Sequence, residues 1–197
     1  MFKGKTDSLK LWECALLMAL SVTLCLGAWA QGRQSAISGK LVRLHVIAVS
    51  DAQEEQELKL RVRDAVLEYL SPRLIGASDS GQARVIRQQE LDGIRQAAER
   101  AAEGRNVTVA LGRERYPTRS YEGFTLPAGK YESLRITLGE GKGHNWWCIV
   151  FPPVCLSASQ GDTVEQQLGE EDFRLISEGD GYALRFRALE LWGELIG

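Results

Sequence analysis

The chain of 197 residues carries 24 lysines and arginines against 26 aspartates and glutamates, a formal charge of −2. Nucleic-acid binding calls for a concentrated basic excess, so this balance argues against it. With 8% aromatic and 25% charged residues, the composition is that of an ordinary globular protein, long enough to bury a core without staples and of a size for one compact domain with short additions.

Lys3, Lys5 and Lys10 precede an apolar stretch from Cys14 to Trp29, and Ala28-Trp29-Ala30 puts small residues where a signal peptidase reads them, before Gln31. A basic start, an apolar middle and an A-x-A end form a secretory signal. An uncleaved membrane anchor is the other reading, because the apolar run is only somewhat short of the ~20 residues a spanning helix needs. Leu24, not a small residue, precedes Cys25 and argues against a lipoprotein. Under either reading residues 1–30 direct the body of the chain out of the cytoplasm, where disulfides persist. They also hold Cys14 and Cys25, leaving Cys148 and Cys155 as an even pair. Without Lys3, Lys5, Lys10, Asp7 and Glu13, the remainder has 21 basic and 24 acidic residues, a charge of −3.

Residues 31–40 are small and polar and read as a linker to a domain over 41–197. Leu41 to Val49 alternates and is rich in β-branched residues, which predicts a strand. His45, flanked by Leu44 and Val46, reads as structural rather than as a ligand. Ser50 and Asp51 are expected caps of a first helix, with Gln53 and Glu54 three residues on. Leu58, Val62, Ala65, Val66, Tyr69 and Leu70 form its apolar stripe, and Pro72 marks its end. Lys59, Arg63, Asp64 and Glu68 lie on the opposite face, which is either a solvated surface or part of a partner-binding one.

A second helix is predicted from Asp79, its cap, to Glu103, with Gly104 as the stop. Its thin, alanine-rich apolar face suits packing on a sheet, and Gly93 weakens it locally. Asn106 to Leu111 alternates as a strand. A looser region follows between Tyr116-Pro117 and Pro127-Ala128-Gly129. In the strand Lys130 to Leu138, Leu134, Ile136 and Leu138 are expected to face the core and Ser133, Arg135 and Thr137 to face water. A glycine turn then leads to a strand over Trp146 to Phe151, giving an expected hairpin. The acidic run Glu170-Glu171-Asp172 reads as a surface loop, and Tyr182 to Leu195 as a C-terminal helix. The sum is an α+β fold: a single domain with a largely antiparallel sheet, two N-terminal helices and a C-terminal helix.

The most restrictive stretch is Gly139 to Leu156, with alternate glycines, His144-Asn145, Trp146-Trp147, and a cysteine on each side of Pro152-Pro153. No nucleophile elbow or phosphate loop occurs in the chain. Cys148, Cys155 and His144 could supply three zinc ligands where structural sites use four. On a strand, His144 and Cys148 would stand ~13 Å apart, too far for a nucleophile and its base. A Cys148–Cys155 disulfide accounts for the pair better; its eight-residue loop (Cys148 to Cys155) would contribute about 2.5 kcal/mol and fix the shape of a surface loop. Adjacent indoles on a strand face opposite ways, so one of Trp146 and Trp147 is expected in the core and the other outside as an anchor for a partner. No cofactor, metal or catalytic residue is expected.

Leu126-Pro-Ala-Gly-Lys-Tyr-Glu-Ser-Leu-Arg-Ile-Thr-Leu-Gly-Glu-Gly-Lys-Gly-His-Asn-Trp-Trp-Cys-Ile-Val-Phe-Pro-Pro-Val-Cys155 resembles the stage II sporulation protein R family of endospore-forming bacteria. So do Arg43-Leu-His-Val-Ile-Ala-Val-Ser-Asp51, the run Gln56 to Val66, and Tyr116-Pro117. The chain departs from that pattern at Val49, where the family usually has Asn, and at Glu55, where it tends to have Asp. The resemblance implies a secreted signalling protein and not an enzyme. Such a protein is made in the forespore and delivered into the space between the septal membranes. Its partner there would be the membrane-embedded aspartic protease of the mother cell, which processes the precursor of sigma-E. Candidate partner-binding residues are Ser50, Asp51, Gln56, Lys59, Arg63 and Asp64 with His144, Asn145, Trp146 and Trp147. Membrane contact would run through the N-terminal segment. The competing expectation is a cell-wall hydrolase or glycan-binding module with the tryptophans on peptidoglycan.

Overall fold

The computed structural model describes residues 10–121, 123–152 and 160–177, and the chain divides into two units, Met1–Gln34 and Ser35–Gly197. Helix α1 (Leu11–Lys40) begins in the first unit. Leu16, Met18, Leu24 and Leu26 on it are each more than half exposed, and the helix is long and apolar enough to cross a membrane. That is compatible with a signal peptide or an anchor. Residues 31–40 are not the irregular linker expected from their composition: they continue α1 to Lys40. Ile37 supplies the reason, being 1% exposed. Lys40 locks the last turn, donating to the Leu168 carbonyl at 2.6 Å and pairing with Asp172 at 2.7 Å.

The second unit is an α+β domain. A four-stranded sheet has the order β2 (Val107–Tyr116), β5 (Gly129–Leu138), β1 (Val42–Ile47), β6 (Asn145–Phe151). A two-stranded sheet pairs β3 (Arg119–Tyr121) with β4 (Phe124–Leu126). Pairing is antiparallel except between β1 and β5. The expected hairpin of the last two long strands is therefore corrected: β1 lies between β5 and β6, and the glycine turn crosses the C-terminal end of β1.

Helices α2 (Gln53–Leu74), α3 (Ser80–Gln89) and α4 (Leu91–Ala101) bury their apolar stripes with one face of the sheet. Val62, Val66, Leu70, Ile94 and Ala98 meet Leu44, Val46, Leu134 and Ile136, all fully buried. Each such valine, leucine or isoleucine contributes about 1.5–3 kcal/mol on leaving water. A second cluster joins Ile37, Leu41, Tyr116, Phe124, Leu126, Tyr131 and Ile149 with Val164, Leu168 and Ile176 from α5 (Gln160–Leu168) and α6 (Glu170–Ser177). The sheet is thus covered on both sides. Ser133, expected to face water, is 1% exposed for that reason.

Three further expectations change. The run from Asp79 to Glu103 is two helices that meet at Glu90. Tyr69 of α2 donates to the Glu90 carboxylate at 2.5 Å, and its ring fills the space a side chain on Gly93 would need: a Cβ there would stand 1.8 Å from the Tyr69 hydroxyl oxygen. Asp79 does cap α3, accepting from Gln82 N at 2.9 Å, and Pro72 sits inside the last turn of α2, two residues before its end. The acidic run at 170–172 opens α6, where carboxylates complement the helix dipole. The predicted helix over Tyr182–Leu195 lies outside the described residues.

Candidate functional site

The glycine turn and the corner between β1 and α2 fold onto each other. Gly143 N donates to Ala48 O at 3.0 Å and Lys142 N to Val49 O at 3.3 Å. Gly139 and Gly141 hold positive φ of 55° and 63°, the left-handed region glycine enters at little cost. Val49 packs its methyls 3.2 Å from the place a Gly139 Cβ would occupy.

Ser50 and Asp51 do not cap α2, whose N-cap is Ala52 without a side-chain bond. They turn toward the corner instead. Asp51 accepts from His144 N at 2.7 Å and meets His144 Nδ1 with the same oxygen. Ser50 Oγ accepts from Ala52 N at 3.4 Å, and its carbonyl accepts from Gln56 Nε2 at 2.8 Å. Beneath them Lys59, expected on an exposed face, is only 4% exposed. Its ammonium donates to Gln56 Oε1 at 2.5 Å and to the His144 carbonyl at 3.0 Å. Burial pulls the Lys59 pKa down, and the Asp51 charge opposes that.

Outside this bolt the surface is open. His144 and Asp51 side chains are 76% and 57% exposed. Trp146 is 37% exposed with the Arg63 guanidinium 4.7 Å over its ring, and Arg63 pairs with Asp64 at 2.7 Å. Of the ten candidate residues, eight lie at this corner in two contact groups: Ser50, Asp51, Gln56, Lys59 and His144 in one, and Arg63, Asp64 and Trp146 in the other.

Asn145 and Trp147 belong to the other face. Asn145 Oδ1 lies 3.0 Å from His45 Nε2, while His45 Nδ1 lies 3.1 Å from Glu114. Trp147 packs beside His45 and Tyr116, with Arg119 at 4.5 Å over its ring. His45 is a strut between β2 and β6, in keeping with its expected structural role. Glu114, which also binds Ser133 Oγ at 2.9 Å and Arg135 at 3.0 Å, was missed because the strand was expected to stop at Leu111. Arg43, also unanticipated, is fully buried, donates to Tyr121 Oη at 3.0 Å and lies 4.2 Å over the Tyr116 ring. Cys148 is disulfide-bonded, and Cys14 and Cys25 are free; Cys155, the expected partner, lies outside the described residues.

The bolt can be weighed directly. Lys59→Met keeps the buried stem but removes both hydrogen bonds, and it also removes a charge whose burial is costly. A loss of about 1 kcal/mol is expected, with Lys59→Ala losing roughly 2 kcal/mol more for the cavity. Chemical unfolding midpoints of the two variants check the order.

Residues 38–161 match the family described as Stage II sporulation protein R. Stage II sporulation protein R of Bacillus subtilis (strain 168) is 33% identical over 147 residues, covering 72% of this chain and 66% of the relative, just under two thirds of its length. No solved structure matches. On the family match and this identity, the chain belongs to the stage II sporulation protein R family of sporulation proteins.

Proposed function

We propose that this chain is an exported signal of sporulation that activates a membrane-embedded aspartic protease, which then processes the precursor of sigma-E. We assign the contact to the corner of Asp51, Arg63, Asp64, His144 and Trp146. One observation carries the assignment. Two segments about ninety residues apart in sequence (Asp51 to His144) are bonded to each other beside a partly exposed indole that carries Arg63. Tryptophan and arginine are enriched among the few residues that carry most of the energy of protein contacts. The glycan-binding reading is less well supported, because an arginine already lies over one face of each indole.

Trp146→Ala in a sporulating host is expected to cut precursor cleavage about tenfold or more, with protein level unchanged. Immunoblots of precursor and of this chain read both quantities. Normal cleavage with Trp146→Ala would remove the corner from the contact. Retention of the purified chain on peptidoglycan, without protease activation in co-expression, would favour the glycan reading.

A further inference from the structure

The opposite end of the sheet concentrates positive charge. β2 and β5 pair in unbroken antiparallel register, so residues 113, 115, 130 and 132 share a face, Arg113 opposite Glu132 and Arg115 opposite Lys130. Of these four paired residues three are cations. Helix α3 adds Arg84 and Arg87, and the Glu132 and Arg84 charges both act on Arg87.

Two features set this cluster apart from a plain solvated surface. Arg115 stands directly across from Lys130, and like charges so placed weaken a strand pair. Arg87 is 1% exposed, reaches only its own helix through Nε to Ala83 O at 3.2 Å, and its buried Nη2 has no hydrogen-bond partner among the described residues. A buried guanidinium with an unfilled donor is costly unless an anion completes it. Arg84, Arg115 and Lys130 are exposed, and Arg113 is 61% exposed, so an anion from solvent can meet these four, with the buried Arg87 adding its charge from beneath.

We propose that Arg84, Arg113, Arg115 and Lys130, with the buried charge of Arg87 beneath them, form a docking surface for the phosphate headgroups of an anionic phospholipid membrane. The choice of a membrane rests on chain topology. Val42, the first residue of β1, pairs in register with Glu132, so the chain enters the sheet at this end. Only residues 31–40 separate that point in sequence from the apolar stretch ending near Ala30. Basic residues next to a membrane-directed segment are drawn to anionic lipid, and the attraction is screened by salt. The proposal does not depend on the protease reading.

The full chain is mixed with vesicles of phosphatidylcholine alone or with added phosphatidylglycerol, and bound protein is measured by flotation. The apolar segment supplies a background common to both. The phosphatidylglycerol-dependent increment is expected to fall about tenfold or more in the double variant Arg115→Glu, Lys130→Glu, and to vanish for the unaltered chain in high salt. Both altered side chains are exposed, and circular dichroism verifies that the variant is folded. Equal binding of the unaltered chain to the two vesicle types overturns the proposal. So does an increment that survives the double reversal, and so does displacement by millimolar inorganic phosphate, which would assign the site to the free anion.

Discussion

Gly143→Ala is expected to pull the corner apart and to destabilise the domain by about 3 kcal/mol, near the upper end of overpacking costs. A Cβ at Gly143 would stand 2.3 Å from Ser50 O, 2.6 Å from Ser50 C and 2.9 Å from the Ala48 Cβ. These are backbone atoms and a stub, with no rotamer through which to give way. The Ser50 carbonyl is fixed besides by Gln56, and the residues before it by the centre of the sheet. The turn is the part that must move, and it is held by the 3.0 Å bond from Gly143 N to Ala48 O and by the Lys59 ammonium on His144 O. Each bond lost adds roughly 1 kcal/mol, and a buried ammonium left without its carbonyl adds more. Gly112→Ala is the control: it lies in β2 with nothing within 4 Å of its would-be Cβ, so a change within about 0.5 kcal/mol is expected. Guanidinium midpoints followed by tryptophan fluorescence compare the two. Equal midpoints would mean that the turn slides freely over the corner, and a rigid recognition patch would then be untenable.

The same corner shows what could and could not be read from the chain. Alternation placed Leu134, Ile136 and Leu138 in the core, and helical spacing did so for Leu58, Val62 and Leu70, because those patterns depend on local geometry alone. Strand order could not be read in this way. A glycine turn between two strands predicts a hairpin, and only the insertion of β1 between β5 and β6, a contact about ninety residues away in sequence (Val46 with Ile136), reverses that. Asp51 is a good cap by residue type, but its carboxylate meets a distant partner, the His144 amide, which local rules do not contain. Lys59 looks solvated on a helical wheel and becomes buried because the turn lands on it. Ser133 follows the alternation rule for one covered face, and the second layer of β3, β4, α5 and α6 removes the rule's premise. Residue types named eight members of the corner, and tertiary crossing decided what each does there.

Alkaline pH should expose the energetics of that second layer. Tyr116 is 3% exposed, and its hydroxyl sits 2.6 Å from Ser133 Oγ, which in turn donates to Glu114. Burial pushes its pKa up to about 12 from the ordinary 10, although the Arg43 charge pulls the other way. Tyr131 is raised too, again by burial. Above pH 10 the unfolded chain releases the Tyr116 proton and the folded one keeps it. The folded state then binds more protons than the unfolded, so stability, full below pH 10, falls as pH rises toward 12. Two units correspond to about 3 kcal/mol for Tyr116. Lys59 acts in the opposite sense, since burial lowers its pKa and its charge is shed at less cost in the fold. A comparison with Tyr116→Phe cancels that contribution, because the variant keeps the lysine and the ring under Arg43 and removes only the hydroxyl. Between pH 10 and 12 the unaltered chain should lose about 3 kcal/mol more than Tyr116→Phe, read from unfolding midpoints at each pH. Parallel slopes would mean that water already reaches the Tyr116 hydroxyl, and the sheet face carrying His45, Glu114 and Ser133 would have to be open instead of sealed.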